Sequence, residues 1–382
     1  MNTLSMEPFE YVDLFKKTNT ELYNSMRQIT NDIYEDGKFV YTSPAHSEGS
    51  IWSHTMMVLN NIIHSSKSLN TELILAALLH DIGKVYTIGE RVLDDGTRRR
   101  TFYNHHSYGS IICVDVLKKM FGDKYYEVVD AKKIIELINL HMFFHFNFGT
   151  TIDDNYYVSE KESNRINKVF SDRRDFFVDL IDLIRSDSLG RITKSSEYRI
   201  TMSKDRLLKN ALEHLDSEKR EEKDNEVIML IGLPGSGKTT YRNSIKGYTV
   251  ISQDDWVEEE AKERGIMYKE MFTSKYSTRM KVISNNILQS KFSNAISKKE
   301  NIIIDMTNLS LKSRRHKLNV IPEKYYSKKA IVFNRSLEDL KKVNTERIKY
   351  GRDIPDSTFK FMVESFCVPT DEEFDKIEYI FN

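Results

Sequence analysis

Ten consecutive residues, 216–225 (DSEKREEKDN), carry no apolar side chain. Such a run cannot join a core and reads most simply as an interdomain linker or an exposed helix end. The hydrophobic pattern changes across it. Before it, IWSHTMMVLNNIIHSS, TELILAALLHDIGK, SYGSIICVDVLKKMFG, AKKIIELINLHMFF and RDFFVDLIDLIRSDSLG predict helix after helix, most of them from apolar residues three and four apart. Asn70-Thr71 followed by Glu72 supplies an N-cap for TELILAALL. One interruption, RVLDDGTRRRTF, sets Asp95-Gly96 between short β-like runs and predicts a hairpin. After the linker, EVIMLIG, YTVIS, NIIID and KKAIVF are short apolar runs separated by helical stretches, the pattern of a parallel sheet. The expected fold class is multidomain: an all-α domain over 1–215, a linker over 216–225, and an α/β domain over 226–382.

Composition narrows the setting. Aromatic residues are 11% of the chain, which argues against disorder although charged residues reach 30%. The formal net charge is zero. It conceals a split: residues 224–382 hold 27 Lys+Arg against 23 Asp+Glu, net +4, and the remainder is net −4. Neither part is basic enough to announce nucleic-acid binding by charge alone. Two cysteines, Cys113 and Cys367, are too few for a disulfide framework and fit a reducing, cytoplasmic setting. No run approaches the ~18 apolar residues of a membrane span, and MNTLSMEPFEYVDLF has acids where a signal peptide is apolar.

In the C-terminal half, Gly232-Leu-Pro-Gly-Ser-Gly-Lys238-Thr239 satisfies GxxxxGK[ST] between a strand, 227–231, and a helix from Thr239. Gly232, Gly235, Ser236, Gly237 and Thr240 complete a loop whose backbone N–H groups curl round phosphate oxygens at a helix N-terminus. Lys238 is placed to reach the β- and γ-phosphates of ATP or another NTP, and Thr239 to hold Mg²⁺. Two acids follow strands where this fold keeps its active site: Asp254 after YTVISQ and Asp305 after NIII. A carboxylate beside the γ-phosphate can take the proton of an attacking hydroxyl, although a solvated acid at a strand end is the plainer reading. Asp255, in an extended segment, faces away. Arg347 and Arg352, read as ending the helix SLEDLKKVNTERIKYGRDIP, suit a lid over the triphosphate or a basic helix in solvent.

These motifs, GLPGSGKTT, SQDDW, DMTNL and NTERIKYGRDIP in that order, resemble the polynucleotide 5′-hydroxyl kinases of phage and bacterial repair enzymes. The resemblance implies Asp254 as general base, Asp305 as an acceptor-binding acid and Arg347 as the lid arginine. The family's acceptor-binding Arg, three residues after the base, is Val257 here. The basic run Lys312, Arg314, Arg315, His316, Lys317 is a candidate substitute, though a solvated helix face is the simpler reading of it.

In the N-terminal half, His80-Asp81 alone is expected about once by chance in a chain of this size. It gains weight from LLHDIGK at the end of an apolar helix, where Gly83 ends the helix so that both side chains can serve as ligands. His54, His105, His141 and Asp187 lie on other predicted helices, and imidazoles and carboxylates from separate helices can build a buried metal site. The set resembles the HD superfamily of metal-dependent phosphohydrolases over roughly 40–195. The resemblance implies one metal on His54, His80, Asp81 and Asp187. Asp81 then bridges to a second metal completed by His105 and His141, with Lys84 and Arg191 on the substrate phosphate. His105 rather than His106 fits because it lies four residues before Gly109. His64 and His145 have no place in the pattern and read as structural. Two such metals, transition ions such as Mn, Co, Ni or Fe, activate water at neutral pH and stabilise charge at phosphorus.

The combination resembles the HD-domain/polynucleotide kinase end-healing enzymes. It implies phosphorylation of 5′-OH ends of RNA or DNA, removal of 2′,3′-cyclic or terminal phosphates, and a functional link to a separate ligase. The sequence has no D-x-D and no K-x-D-G, so aspartyl-phosphate phosphatase and ligase signatures are absent. Two alternatives stay open: a nucleotide-metabolism enzyme pairing an HD nucleotidase with a small-molecule P-loop kinase, and a regulatory binder of ATP and metal.

Overall fold

The computed structural model describes residues 6–35, 38–41, 46–96, 98–143, 149–150, 156–157, 160–192, 215, 223–272 and 274–382. The chain divides into two compact units, 1–218 and 219–382. Residues 216–222 of the apolar-free run lie outside the described residues, as does His145.

The first unit is built on helices α1 (Pro8–Thr18), α2 (Thr20–Gln28), α3 (Ile51–Ser65), α4 (Thr71–Leu79), α5 (His105–Phe121), α6 (Tyr125–Val128), α7 (Ala131–Leu140), α8 (Glu160–Phe170) and α9 (Arg174–Leu189). Helix α4 is its axis. Every residue from Leu73 to Leu79 is buried, because α4 is enclosed by α3, α7 and α9 and has no face left for polar side chains. The Asn70 side chain accepts from Leu73 N–H and starts the helix. Strands β1 (Ile33–Glu35) and β2 (Lys38–Tyr41) form one antiparallel pair. The expected hairpin is present as β3 (Ile88–Val92) and β4 (Arg98–Phe102), joined through Gly96 at φ +79°. Two-residue strands β5 (Gly149–Thr150) and β6 (Tyr156–Tyr157) also pair.

The second unit carries the expected parallel sheet. Its strands are β7 (Asn225–Ile231), β8 (Thr249–Ser252), β9 (Ile302–Asp305), β10 (Tyr326–Asn334) and β11 (Lys376–Phe381), in the order β11-β10-β7-β9-β8. Edge strand β11 is absent from the sequence reading, since KIEYIF mixes charged and half-exposed residues as an edge permits. Register decides where the chemistry gathers. Asp305 pairs with Leu230 on one side and with Ser252 on the other, so the ends of β7, β9 and β8 lie together.

The basic run on the helix Leu311–Leu318 does not form a solvated face throughout, nor does it offer all its cations to a ligand. Arg314 is fully buried. Its Nε and Nη2 donate to Glu373 at 2.9 and 2.7 Å, and its Nη1 donates to the carbonyls of Leu309 and Cys367 at 2.9 and 2.7 Å. It therefore acts as a brace for the loop that follows Asp305. Among the described residues, no helix is long and apolar enough to cross a membrane.

Candidate functional sites

Five elements of the first unit converge on one buried cage. His54 comes from α3, His80 and Asp81 from the turn after α4, His105 from the first position of α5, His141 from just past α7, and Asp187 from the end of α9. All six are buried. His54 Nε2 lies 2.9 Å from Asp187 Oδ1 and 3.6 Å from Asp81 Oδ2. His80 Nε2 lies 3.4 Å from Asp81 Oδ2, and His105 Nε2 3.4 Å from Asp81 Oδ1. Asp81 thus faces two groups, one with His54 and His80 and the other with His105 and His141, each with its ligand atoms within 4.8 Å of one another.

The backbone sets the tautomers. Nδ1 of His80, His105 and His141 sits 2.8, 2.9 and 2.6 Å from the carbonyls of Ala77, Phe102 and Ile138, and Nδ1 of His54 sits 3.2 Å from that of Gly190. A carbonyl only accepts, so each Nδ1 carries the proton; a neutral His80, His105 or His141 then turns its Nε2 lone pair inward, whereas His54 Nε2 faces the Asp187 carboxylate, which also only accepts. Two consequences test whether the cage fits a cation. His80 Nε2 is buried with no hydrogen-bond partner. The Nε2 atoms of His105 and His141 face each other at 3.2 Å, an arrangement of two lone pairs that requires a positive centre nearby. The cage fits metal ions.

Electrostatics differ from ring to ring: burial lowers His80, but Asp81 and Asp187 outweigh it and raise the ring above its usual value. Burial pushes His105 down to about 3 and His141 well below its usual value, so both rings are neutral. Burial would raise Asp81, but Lys84, whose Nζ donates at 2.6 Å, and His80 hold it well below the carboxylate range. Asp187 is likewise held down against its burial by Arg191, whose Nη2 donates at 2.9 Å. Each carboxylate therefore carries one cation beside the cage.

Helix α4 ends at Leu79, and Gly83 lies beyond it in a 3-10 turn, Ile82–Val85, so Gly83 is not what stops the helix. Its work is close approach. A Cβ there would lie 2.0 Å from the His105 carbonyl oxygen and 2.6 Å from Gly109 N. Gly83→Ala must displace α5, and with it His105. Overpacking against backbone is expected to cost about 1–3 kcal/mol and to lower metal content, read by thermal melting and elemental analysis; wild-type values in both would refute the role.

Two residues escaped sequence reading. His46 Nδ1 is 2.8 Å from Glu48 Oε1, which is 3.4 Å from His54 Nδ1. Their only signal was a His-x-Glu just ahead of Ser50, the residue whose side chain caps α3. His106 stands edge-on to His105 and His141, and His64 is exposed on α3.

In the second unit the loop after β7 has the expected form. Gly235 and Gly237 adopt φ +84° and +99°, and a Cβ at Gly232 would lie 2.7 Å from Ser236 Oγ. Lys238 opens the helix Lys238–Ser244 and is buried, its Nζ donating to the carbonyls of Gly232 and Leu233 at 2.8 and 2.9 Å. Burial lowers Lys238 to about 8, while Asp305 and Asp254 pull it back up and Arg347 adds to the lowering. Both acids and Arg347 therefore act on the loop lysine. Thr239 Oγ1 is 3.5 Å from Asp305 Oδ2, and Thr240 is exposed beside it.

Asp254 and Asp255 are not in an extended segment. They occupy the first turn of the helix Gln253–Glu263, which Ser252 caps by accepting from Asp255 N–H. The carboxylates still diverge. Asp254 Oδ1 accepts from the Tyr268 hydroxyl at 3.0 Å, whereas Asp255 is gripped by Arg242 Nη1, which also reaches Asp305 Oδ2 at 3.1 Å. Arg347 ends the helix Leu337–Arg347. Arg352 lies past Gly351, outside that helix, paired with Glu258 and over the Tyr268 ring. Val257 is buried with Trp256, Ala261 and Met271.

Residues 51–182 match the family model described as HD domain, and residues 227–369 that described as AAA domain. The chain is 30% identical over 164 residues to a putative bifunctional polynucleotide phosphatase/kinase of Acanthamoeba polyphaga mimivirus, covering 41% of this chain and 33% of that protein. It is 30% identical over 159 residues to the human heterogeneous nuclear ribonucleoprotein U-like protein 2, covering 38% and 20%. The match thus spans a third or less of either relative. Among solved structures, a putative kinase from Chloroflexus aurantiacus aligns at 15% identity and TM-score 0.35, covering 42% of this chain and 87% of that one. A chain of the Pnkp1/Rnl/Hen1 RNA repair complex aligns at 22% identity and TM-score 0.30, covering 39% and 46%.

Proposed function

We propose that the chain heals nucleic-acid ends with two separate sites, phosphorylating 5′-hydroxyls at the expense of ATP or another NTP and hydrolysing 2′,3′-cyclic or terminal 2′/3′ phosphates. The observation that carries it is Asp81 shared between two imidazole groups, on the same chain as a phosphate loop flanked by Asp254 and Asp305. The mimivirus relative, matched over 41% of this chain, is named as a polynucleotide phosphatase/kinase, which supports a polynucleotide end as substrate.

In the kinase unit, Asp254 takes the proton of the acceptor hydroxyl as its oxygen bonds to the γ-phosphorus and the bond to the β-bridging oxygen breaks. Gly232, Gly235, Ser236, Gly237 and Thr240 line the loop that cradles the phosphates, and Lys238 leaves its two carbonyls for their oxygens. Asp305 orients the acceptor, Thr239 holds Mg²⁺, and Arg352 closes the far side of Tyr268. Arg347 stabilises the charge spread over the transferring group. Arg347→Ala is expected to cut kinase turnover by about 10²-fold or more; unchanged turnover would return Arg347 to a solvated helix residue.

In the HD unit, His54, His80, Asp81 and Asp187 hold one metal and Asp81, His105 and His141 the other. When bound, the metals supply activation of water and charge stabilisation at phosphorus. Lys84 and Arg191 hold the substrate phosphate, each fixed by one cage carboxylate. An imidazole-rich cage favours Mn, Co, Ni or Fe over Mg. The healed ends are substrates for a separate ligase, the enzyme works in the cytoplasm, and the expected linker 216–225 is shortened at its end, since Asn225 already opens β7 and Lys223 pairs with Asp375.

Labelled oligonucleotides with 5′-OH or 2′,3′-cyclic phosphate ends, offered with ATP and Mg²⁺ or with Mn²⁺, test the proposal. Both ends should react, and hydrolysis should run better with Mn²⁺ than with Mg²⁺. The burial of Val257, which leaves no cation at that position, favours as second reading a small-molecule kinase beside an HD nucleotidase. A free nucleoside phosphorylated better than an oligonucleotide would decide for it.

A further inference from the structure

The helix Gln253–Glu263 turns Val257 into an apolar cluster on which Tyr268 and Ile266 also pack. What stands beside Asp254 instead is aromatic. Tyr268 opens a 3-10 turn, Tyr268–Phe272, and donates its hydroxyl to Asp254 Oδ1 at 3.0 Å. The Phe272 ring lies one turn on, 5.1 Å from that of Tyr268 and tilted by 59°. Phe272 is 57% exposed and the neighbouring Met267 54%. The guanidinium carbon of Arg352 lies 5.6 Å from the Tyr268 ring centre. The Asp254 carboxylate is thus fixed to one ring of an aromatic pair, the ring that also carries Arg352, and the other ring is open to solvent.

We propose that Tyr268 and Phe272 form a stacking platform for the nucleobase that carries the 5′-hydroxyl, so that the preferred acceptor is an unpaired 5′ end. This rests on the reading of the unit as a 5′-hydroxyl kinase. Every base offers a π-face, so such a platform binds without sequence preference, while Arg352, held by Glu258, covers the Tyr268 ring. The Tyr268–Asp254 hydrogen bond fixes the platform relative to the carboxylate, which places the terminal 5′-oxygen of a stacked nucleotide beside Asp254. A paired terminal base must leave its own stack to use the platform, so blunt duplex ends are poorer acceptors.

The test uses the full chain with ATP and three acceptors: a single-stranded 5′-OH oligonucleotide, the same strand with an abasic 5′-terminal nucleotide, and a blunt duplex. For the wild type, the abasic and duplex acceptors should raise acceptor KM about 10-fold. Phe272→Ala, an exposed position, should raise KM for the intact strand by a similar factor and leave KM for ATP unchanged. The abasic strand should then be no worse than the intact one. Tyr268→Phe keeps the ring and loses the hydroxyl, so it should lower kcat with little change in KM. Equal KM for intact and abasic strands in the wild type, or an unaltered Phe272→Ala enzyme, would overturn the platform alone. Failure to phosphorylate any 5′-OH oligonucleotide would overturn the kinase reading itself.

Discussion

Asp81→Ala is expected to abolish phosphoester hydrolysis and to empty the HD cage of both metals, leaving 5′ phosphorylation intact. Its two oxygens face different ligand groups, Oδ2 toward His54 and His80 and Oδ1 toward His105. No other carboxylate of the cage is shared in this way. Loss of the paired charge is expected to cost on the order of 10³-fold in hydrolysis or more. His105→Ala, by contrast, spoils the second group and spares the first. It should keep about one metal per chain while hydrolysing far more slowly. Elemental analysis beside cyclic-phosphate hydrolysis separates the two variants. Full hydrolysis by the Asp81→Ala protein would refute the shared-carboxylate site.

Lys238→Ala is expected to lower 5′ phosphorylation by on the order of 10³-fold or more and to leave hydrolysis unchanged. Asp254→Ala should do the same through loss of the base. The lysine variant has a second expected signature. Burial lowers Lys238 from 10.5 to about 8, so the folded state disfavours its charged form. That burden is fully present below about pH 8 and fades as pH rises toward the unfolded value. Replacing the lysine removes it, so activity should vanish without loss of thermal stability at neutral pH. A variant that loses activity only because it unfolds would contradict this account of the loop.

The phosphate loop was legible because its chemistry is contiguous: strand, glycines, Lys238 and helix follow one another, and the backbone alone fixes the cradle. The cage was legible differently: each histidine alone reads as a core or surface residue, and only the six ligand-type residues in HD order, with LLHDIGK, imply a shared site. What stayed hidden depends on partners far along the chain. Arg314 read as part of a basic run, and only Glu373, 59 residues later, makes it a buried brace. Gly83 read as a helix stop, whereas its need for space comes from His105 and Gly109 on another helix. Glu48 is held beside the cage by Ile192, 144 residues later, whose N–H donates to it. The segment at Asp254 looked extended because its cap, Ser252, is also the last residue of a strand.

The central claim is that one chain holds two independent sites acting on the two kinds of end of the same polymer. The most direct measurement is mass spectrometry of a single RNA strand bearing a 5′-OH and a 2′,3′-cyclic phosphate, incubated with ATP, Mg²⁺ and Mn²⁺. The wild type should gain a 5′-phosphate and lose its cyclic phosphate. Asp81→Ala should change only the 5′ end, and Lys238→Ala only the other. A wild-type protein that alters neither end, or a folded single variant that loses both activities, would contradict the account.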